Sequence, residues 1–405
     1  MQRHWKKAVS STLLGASRLV ATRRAKRRDS ASALIIPPCP PGSLGDAAMV
    51  TSAIAGLQRH GMTRTDLLTA SRWPIDRKPD KSIDMEAFLD WRSRVSLARG
   101  LPQLSRYGHA FLIGADILDG VYHPEPVLTR LAVLKEIVAG GGAATIFGSS
   151  FSETPNSTVV AELRALPQSI TIAAREPLSH ERMERLLKRP IKLVADLAFL
   201  VEPVSTPEVV QKTLAWIDGR RAKGQQVIGF NLNAIHDEGN PGLIEAATAY
   251  LSKIIDADIA VVLVPHDTRT DRSDYFLVKA AAAGLSDLQR ESVYLLDATT
   301  PSDVKSVMAA VDLLVTGRMH PAILAMGAGT PAFSMVYQAK FEGLYRLLGL
   351  QDCDMLIDPA AFCKSPDQFA ARTLTILENG DALRTIIRDN LGAVRALAEG
   401  NFSHL

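Results

Sequence analysis

The architecture of the chain follows from one segment, Val311-Asp312-Leu313-Leu314-Val315-Thr316-Gly317-Arg318-Met319-His320-Pro321. The apolar run Leu313–Val315 predicts a short buried strand that ends at the glycine. Because proline suits the first position of a helix, the sequence predicts a helix Pro321–Met326 with His320 just before it. A second strand is predicted over Ala332–Val336, so the segment is a strand-helix-strand unit of a parallel sheet.

Three side chains of this unit bear on function, because parallel strands end at the same edge of a sheet. Arg318, His320 and Lys340 are therefore expected at one carboxyl edge, next to the positive end of a helix. Two cations and a helix N-terminus favour a small, dense anion, and His320 would supply a group that titrates near neutrality. Alternatively, Arg318 pairs with a carboxylate, His320 caps the helix, and Lys340 lies on the surface.

The same residues carry a resemblance to a known family. Gly317-Arg318-x-His320, Gly329-x-Pro331 and Tyr337-x-x-Lys340-x-x-Gly343 resemble the signature of the polysaccharide pyruvyl transferases. The resemblance implies transfer of the pyruvyl group of phosphoenolpyruvate onto a sugar as a ketal. It also implies an α/β fold of two Rossmann-like domains facing a cleft, as in GT-B enzymes, with Tyr337 among the substrate-binding residues.

Length and composition fit such a protein. The chain has 405 residues, room for two domains, and 47% of them are hydrophobic. Three scattered cysteines predict neither a disulfide framework nor a zinc site, so a reducing cytoplasmic location is expected. No phosphate loop or dinucleotide fingerprint is present, and we expect no cofactor and no metal, with phosphoenolpyruvate as the donor substrate.

Charge is distributed unevenly along the chain. Residues 1–28 contain nine Lys or Arg residues and no acidic residue, so the remainder carries a net charge of −6. This excludes a nucleic-acid-binding face on the main body. The basic extension is too short and too interrupted for a signal peptide or a membrane span. It is expected to be a disordered, solvated tail or an interfacial helix on the inner face of the membrane.

Alternating helix and strand patterns divide the chain into five parts. The sequence predicts the extension over residues 1–30, a first α/β domain for the acceptor over 31–202, and a connection over 203–224. A second α/β domain with the anion site follows over 225–380. Residues 381–405 are predicted to form a helix that crosses back to the first domain.

The first domain supplies two candidate binding residues. Asp46 follows Gly42 and Gly45 in a strand-loop-helix unit that resembles the N-terminal loop of the family, and it either contacts a sugar hydroxyl or caps the helix. Arg175 lies in a segment, Arg175 to Phe199, that resembles one in the family. It either binds an anion or pairs with a carboxylate. Asp196, in the same segment, is interpreted as structural.

Two stretches of the first domain are harder to interpret. Ala115-Asp116 and Ser149-Ser150 stand where the family usually has glycines, which leaves the identity of the acceptor open. Residues 61–107 carry tryptophans and cations that suit either sugar contact or packing, with a helix predicted over 85–99.

The second domain adds Asn231 and His266, each at the predicted end of a strand. Both are candidate substrate contacts. Asp352-Cys353-Asp354 is discounted as a metal motif, since three-residue patterns recur by chance.

The favoured function is therefore pyruvyl transfer to a free or lipid-linked saccharide, in cell-surface polysaccharide or glycolipid biosynthesis. His320 is the candidate catalytic residue. A GT-B glycosyltransferase that uses a nucleotide sugar and a non-catalytic saccharide- or partner-binding protein are the alternatives. The sequence predicts neither the sugar nor the oligomeric state.

Overall fold

The computed structural model describes residues 29–69, 71–84, 104, 106–267, 269, 273–337 and 340–405. The basic extension and the helix predicted over residues 85–99 lie outside this part of the chain.

The first domain is built around a parallel sheet. Its strands are β1 (Asp29–Ile36), β2 (Arg64–Leu68), β3 (Lys81–Ile83), β4 (Tyr107–Leu112), β5 (Ala143–Ser149), β6 (Thr171–Ala174) and β7 (Lys192–Leu193). They lie in the order β3-β2-β1-β4-β5-β6-β7. The described helices are α1 (Leu44–Arg59), α2 (Pro124–Ala139), α3 (Ser157–Arg164) and α4 (Pro177–Leu187), followed by a 3₁₀ helix (Leu197–Leu200).

The second domain repeats this plan. Its strands are β8 (Gln226–Asn231), β9 (Ile259–Leu263), β10 (Val293–Leu295), β11 (Leu313–Thr316), β12 (Ala332–Met335) and β13 (Leu356–Ile357), in the order β10-β9-β8-β11-β12-β13. All pairs are parallel. Its helices are α5 (Glu208–Arg221), α6 (Ala234–Gly239), α7 (Leu243–Asp256), α8 (Asp274–Ala283), α9 (Asp287–Arg290), α10 (Pro301–Met308), α11 (Met319–Met326), α12 (Phe341–Leu347), α13 (Pro359–Lys364), α14 (Pro366–Glu378) and α15 (Gly380–Glu399).

The strands are apolar on both faces because helices cover both sides of each sheet. In β1, Ala33 and Ile35 belong to the apolar cluster that contains α1, whereas Leu34 and Ile36 belong to a separate cluster with α2. The first cluster continues through the 3₁₀ helix into the second domain. The two domains therefore meet through an apolar interface and not through polar contacts alone.

The helix after β11 begins earlier than the sequence predicts. It starts at Met319 with Arg318 as the N-cap residue, so His320 is a helical residue and Pro321 occupies the third position. Proline is tolerated there because the amide groups of the first turn have no partner within the helix. Helix α12 begins at Phe341, directly after Lys340. Strands β2, β3 and β13 and helices α3, α4, α6, α8, α9 and α13 were not predicted.

The turn that follows β11 is held in place by α6. The side-chain amide of Asn233 and the Nε2 atom of His236 lie 3.0 and 3.2 Å from the carbonyl oxygen of Gly317. Burial lowers the pKa of His236 to about 4, so the neutral ring donates this hydrogen bond. The direction in which Arg318 leaves the turn thus depends on a neutral histidine.

The C-terminal residues return to the first domain. The side chain of Asn401 accepts a hydrogen bond from the backbone amide of Gly148 and donates to the carbonyl oxygen of Ala195. Phe402 is fully buried, and its ring lies against Gly56 in the middle of α1. A β-carbon at position 56 would lie 2.1 Å from the Cζ atom of Phe402. None of the described helices combines the length and the apolar character that a membrane span requires.

We predict that Gly56→Ala destabilises the protein by about 1–3 kcal/mol, because the Phe402 ring must move. Gly219→Ala is the matched control, since Gly219 is also helical and a β-carbon there would meet no atom within 4 Å. This control should instead stabilise by about 0.5–1 kcal/mol. Denaturant unfolding measures both. If Gly56→Ala is equally costly in a Phe402→Ala background, the ring contact is not the cause.

We also predict that His236 makes the fold sensitive to acid. Because its folded pKa of about 4 lies below that of the unfolded chain, its contribution is complete above about pH 6.5 and falls as the pH drops to 4. The loss is on the order of 3 kcal/mol.

Unfolding free energies between pH 6.5 and 4 should therefore decline less steeply in His236→Phe than in the wild type. Other buried histidines titrate in both proteins, so only the difference between the two slopes is informative. Equal slopes would contradict the prediction.

Candidate functional site

The candidate site lies where the N-termini of α1 and α11 meet between the two domains. The backbone amide of Leu44 in α1 donates to the carbonyl oxygen of His266, and Ser43 forms a β-bridge with Asp267. A cavity of about 190 Å³ opens beside these contacts. Residues of both domains form its walls, and those used below are Cys39, Asp46, Asp116, Tyr122, Arg318 and Tyr337.

Arg318 reaches this cavity from the N-cap position of α11, with a side chain that is 16% exposed. Its Nε atom lies 2.8 and 2.7 Å from the two carboxylate oxygens of Asp274, and Nη2 lies 3.3 Å from Asp267. Burial opposes the charged form, but the two carboxylates outweigh it and raise the pKa of the guanidinium. Arg318 is thus a permanent cation with a fixed direction.

Asn231 supports this arginine from behind. Its side-chain amide donates to Asp274 at 3.1 Å and to the carbonyl oxygen of Val264 at 2.9 Å, while its oxygen accepts from Thr316 at 3.0 Å. Asn231 is fully buried and is not part of the cavity wall. Its observed role is to hold Asp274 against Arg318.

His266 is buried beside these groups, at 1% exposure. Its backbone amide donates to Asp274, whereas neither ring nitrogen has a hydrogen-bond partner among the described residues. Burial, together with the charges of His320 and Arg318, holds the pKa of His266 well below its ordinary value. The ring is therefore neutral. It lies near His320 and Arg318, and among the described residues no hydrogen bond from either ring nitrogen holds it there.

His320 lies at the contact between the two helix N-termini. A β-carbon on Gly45 of α1 would lie 2.3 Å from the Cγ and Nδ1 atoms of its ring, so glycine is required for this approach. On the other side, Nε2 lies 3.7 Å from Oδ2 of Asp196. This nitrogen is buried and has no hydrogen-bond partner among the described residues.

Arg175 is paired with a carboxylate, which is one of the two roles that the sequence analysis gave it. Its Nη1 atom donates to Asp196 at 2.7 Å, its Nε atom donates to Ser150 at 2.7 Å, and Nη2 contacts the sulfur of Met319. The side chain is 1% exposed. Arg175 therefore links the first domain to α11 through its contact with the residue that precedes His320.

Lys340 is also paired across the domain interface. Its ammonium group lies 3.2 Å from the carbonyl oxygen and 3.8 Å from the carboxylate of Asp116, and 5.2 Å from the ring centre of Tyr122. Burial would raise the pKa of Asp116, but Lys340, Arg175 and other nearby cations outweigh it and lower that pKa. The carboxylate is thus ionised at the cavity wall.

The residue before Asp116 keeps a backbone shape that is typical of glycine. Ala115 has a φ of 48°, in the left-handed region that costs a non-glycine residue about 1 kcal/mol. The resemblance to the family led us to expect glycine at this position. The turn with Ala115 in this conformation places the Asp116 carboxylate at the cavity wall.

Asp46 is the second carboxylate of the cavity. The backbone amide of Asp46 donates a hydrogen bond to the hydroxyl of the N-cap residue Ser43. The carboxylate of Asp46 accepts a hydrogen bond from the Cys39 thiol at 2.9 Å. Burial raises the pKa of Asp46 although His320 and the thiol oppose this. Two carboxylates in one cavity therefore have opposite pKa shifts, an arrangement that separates acid and base roles.

The structure brings some of the predicted site residues to the cavity and leaves others behind it. Asp46, Arg318 and Tyr337 line the cavity. The side chains of five others lie outside its wall and make the contacts given above: Arg175, Asn231, His266, His320 and Lys340.

Sequence reasoning missed the carboxylates that pair with the cations. Asp267 and Asp274 follow β9, and their position after a strand end was the available signal. Cys39 and Tyr122 gave no signal that separates them from ordinary loop residues. Among the described residues, no group of three His, Cys, Asp or Glu side chains is placed to hold a metal ion.

Comparison with solved structures identifies the fold. A structure of MnaA from S. aureus with UDP is 10% identical, with a TM-score of 0.59 over 89% of this chain and 91% of that chain. The UDP-GlcNAc 2-epimerase of Neisseria meningitidis, bound to UDP-GlcNAc, is 11% identical, with a TM-score of 0.53 over 91% and 97%. The wall teichoic acid polymerase TagF is 13% identical, with a TM-score of 0.51 over 100% and 96%.

These likenesses confirm the predicted fold of two Rossmann-like α/β domains that face a cleft, as in GT-B enzymes. A search of curated proteins returned no match. The sequence profile of the polysaccharide pyruvyl transferases matches residues 44–338, well over half of the chain and a range that includes both α1 and the segment from Arg318 to Tyr337. The protein therefore belongs to the polysaccharide pyruvyl transferase family.

Proposed function

We propose that this protein transfers the pyruvyl group of phosphoenolpyruvate to two hydroxyl groups of a saccharide, forming a ketal and releasing phosphate. The observation that supports this most directly is the place of Arg318, a fixed cation at the cavity wall and at the start of the helix that carries His320. In a family named for pyruvyl transfer, this combination suits a donor with both a phosphate and a carboxylate.

The donor would bind to cations that are already paired within the protein. Arg318 and Lys340 are each paired with a carboxylate, Asp274 and Asp116 respectively. A guanidinium has five N–H donors, so Arg318 can bond a ligand oxygen while Asp274 fixes its direction. The N-terminus of α11 adds backbone amides and the positive end of the helix dipole.

His320 would act first as an acid and then as a base. It gives a proton to the methylene carbon C3 of phosphoenolpyruvate, whose π electrons form the new C–H bond, while one sugar hydroxyl adds to C2 and returns its proton to His320. The bond between C2 and the phosphate oxygen then breaks. The second hydroxyl adds to C2 to close the ketal, and its proton leaves with the phosphate as hydrogen phosphate.

The first domain would bind the acceptor. Asp46 and Asp116 present two carboxylates to the same cavity, and a ketal requires two hydroxyls of one acceptor. Ionised Asp116 is suited to hold one hydroxyl by a hydrogen bond, and Asp46, whose pKa is raised, can pass the proton of the second hydroxyl to the departing phosphate. The acceptor would be a saccharide of the cell surface, and we propose a cytoplasmic site of action.

One alternative has a specific observation in its favour. Solved structures with the same fold contain UDP or UDP-GlcNAc, so the cleft could accept a nucleotide sugar. Such a protein would be a GT-B glycosyltransferase, and Arg318 would bind the diphosphate.

We predict that phosphoenolpyruvate raises the melting temperature of the wild-type protein and that Arg318→Ala abolishes this effect. A ligand at a hundred times its dissociation constant stabilises by about 2.7 kcal/mol, which thermal denaturation detects readily. The same measurement with UDP-GlcNAc and GDP-mannose should give no shift.

Arg221→Ala is the matched control, because it also removes an arginine that is paired with an aspartate, Asp312, but lies outside the cleft. It should keep the full response to phosphoenolpyruvate. If Arg318→Ala does not fold, Arg318→Lys replaces it and should weaken the response, since lysine lacks the planar fork. A response to the nucleotide sugars alone would favour the glycosyltransferase.

We further predict that His320→Asn lowers kcat by about 10²- to 10⁴-fold and leaves the thermal shift with phosphoenolpyruvate nearly unchanged. Phosphate release from phosphoenolpyruvate, measured with a panel of methyl hexosides as acceptors, reports turnover. If the variant loses donor affinity but keeps its turnover at saturation, the acid role of His320 is wrong.

A further inference from the structure

Asp196 is a buried carboxylate of the first domain whose position the proposed reaction has not yet used. It is 2% exposed and lies just before the 3₁₀ helix. One oxygen, Oδ1, accepts a hydrogen bond from the backbone amide of Ala198 at 2.8 Å. The other, Oδ2, accepts a hydrogen bond from Nη1 of Arg175 at 2.7 Å. Arg175 is fixed in turn by Ser150, so the carboxylate has a defined place and direction.

The same oxygen faces a histidine of the second domain. Oδ2 of Asp196 lies 3.7 Å from Nε2 of His320, and this nitrogen has no other hydrogen-bond partner among the described residues. The distance is longer than a hydrogen bond, but catalytic hydrogen bonds often tighten only when substrate is bound. On its opposite side the ring rests against Gly45, which limits how far it can turn away.

We propose that Asp196 is a positioning residue that holds the Nε2–H group of His320 and stabilises the protonated ring. This inference rests on the proposed function, in which His320 is the acid. Arg318 and the start of α11 disfavour a second positive charge at this place. The buried carboxylate of Asp196, which belongs to the opposite domain, lies on the other side of the ring and offsets this repulsion.

The assignment fixes which nitrogen reacts. With Nε2 held by Asp196, Nδ1 is the atom that gives its proton to C3 of the donor and later takes one from the sugar hydroxyl. Because Nδ1 lies at the contact with Gly45, the donor would have to reach the ring beside the N-terminus of α1. Asp196 keeps its negative charge throughout and accepts no proton. The acid is complete only when the two domains are together, since His320 and Asp196 belong to different domains.

Other charged groups also face His320, and they set the background for any titration. Asp46 and Asp116 of the first domain and His266 of the second act on it electrostatically. Arg175 acts on it through Asp196, and Arg318 precedes it by two residues. Asp196 differs from the other acids because its oxygen is the one placed at Nε2.

The test follows the His320 ring by NMR in protein labelled with ¹³C and ¹⁵N at its nine histidines, with His320→Asn for assignment. In the wild type, we expect the neutral ring to be the Nε2–H tautomer. In Asp196→Asn, which keeps the oxygen that bonds Ala198, we expect the midpoint of the His320 titration to fall by at least about one pH unit, a tenfold loss of proton affinity.

A histidine whose carboxylate partner is exposed serves as the control. Nε2 of His180 lies 3.7 Å from a carboxylate oxygen of Glu184, the same separation, but Glu184 is 50% exposed, the pair lies within one helix, and Nε2 also lies 2.9 Å from the carbonyl oxygen of Ile191. Glu184→Gln should move the His180 midpoint by less than about half a pH unit, because solvent screens exposed pairs. Equal effects in the two pairs would overturn the claim that burial makes Asp196 special.

Two results would overturn the inference itself. One is an Nδ1–H tautomer of His320 in the wild type, which needs no variant to fold. The other is an unchanged His320 titration in folded Asp196→Asn, as expected if Asp196 only caps the 3₁₀ helix and pairs with Arg175.

Kinetics then separates this inference from the proposed function. We expect Asp196→Asn to lower kcat by about 10²-fold with a KM for phosphoenolpyruvate within threefold of the wild type, and to shift the pH profile of kcat toward lower pH. If phosphoenolpyruvate neither binds nor reacts while the NMR results hold, the proposed function fails and the His320–Asp196 pairing stands. If it reacts but Asp196→Asn keeps full kcat, only the positioning role fails.

Discussion

The buried guanidinium of Arg318 must be neutralised by carboxylates, and this requirement organises the second domain around the cleft. An unpaired charge at such a depth costs several kcal/mol. Asp274, at the start of α8, and Asp267, after β9, supply the carboxylates, while Asn231 at the end of β8 holds Asp274 in place. The ends of three neighbouring strands, β9, β8 and β11, are thus tied to one side chain. Their common edge becomes a rigid wall for the site.

The site is completed only by the first domain, which approaches through small residues and backbone groups. Gly45 permits the N-terminus of α1 to touch the His320 ring, and the amide of Leu44 bonds the backbone of His266. Lys340 crosses the interface in the other direction to reach Asp116. Each domain therefore contributes charged partners to the other, and the geometry of the reactive groups depends on how the domains are docked.

Sequence patterns sufficed for the features that depend on local periodicity and on strand direction. The segment around Gly317 showed where β11 ends and which cations follow it, because parallel strands share one edge. The pairing of these cations could not be predicted, since Arg318 and Asp274 are 44 residues apart and Arg175 and Asp196 are 21 apart. The start of α11 was misplaced by two residues, because proline is tolerated throughout the first turn. That shift turned His320 from a loop residue into a helical one that meets the opposite domain.

Under the proposed function, the paired cations would favour a donor with two anionic groups over a ligand with a single phosphate. A ligand must share each cation with the carboxylate that already neutralises it, so a single phosphate gains little from one cation alone. A donor with a phosphate and a carboxylate close together can neutralise two cations at once, and the two electrostatic contributions to the binding free energy then add. Arg318 and Lys340 are held by acids from different domains, Asp274 and Asp116, so two anionic groups on one small molecule would bridge the interface. Such a bridging ligand would add to the contacts that already hold the two domains together and His320 within 3.7 Å of Asp196.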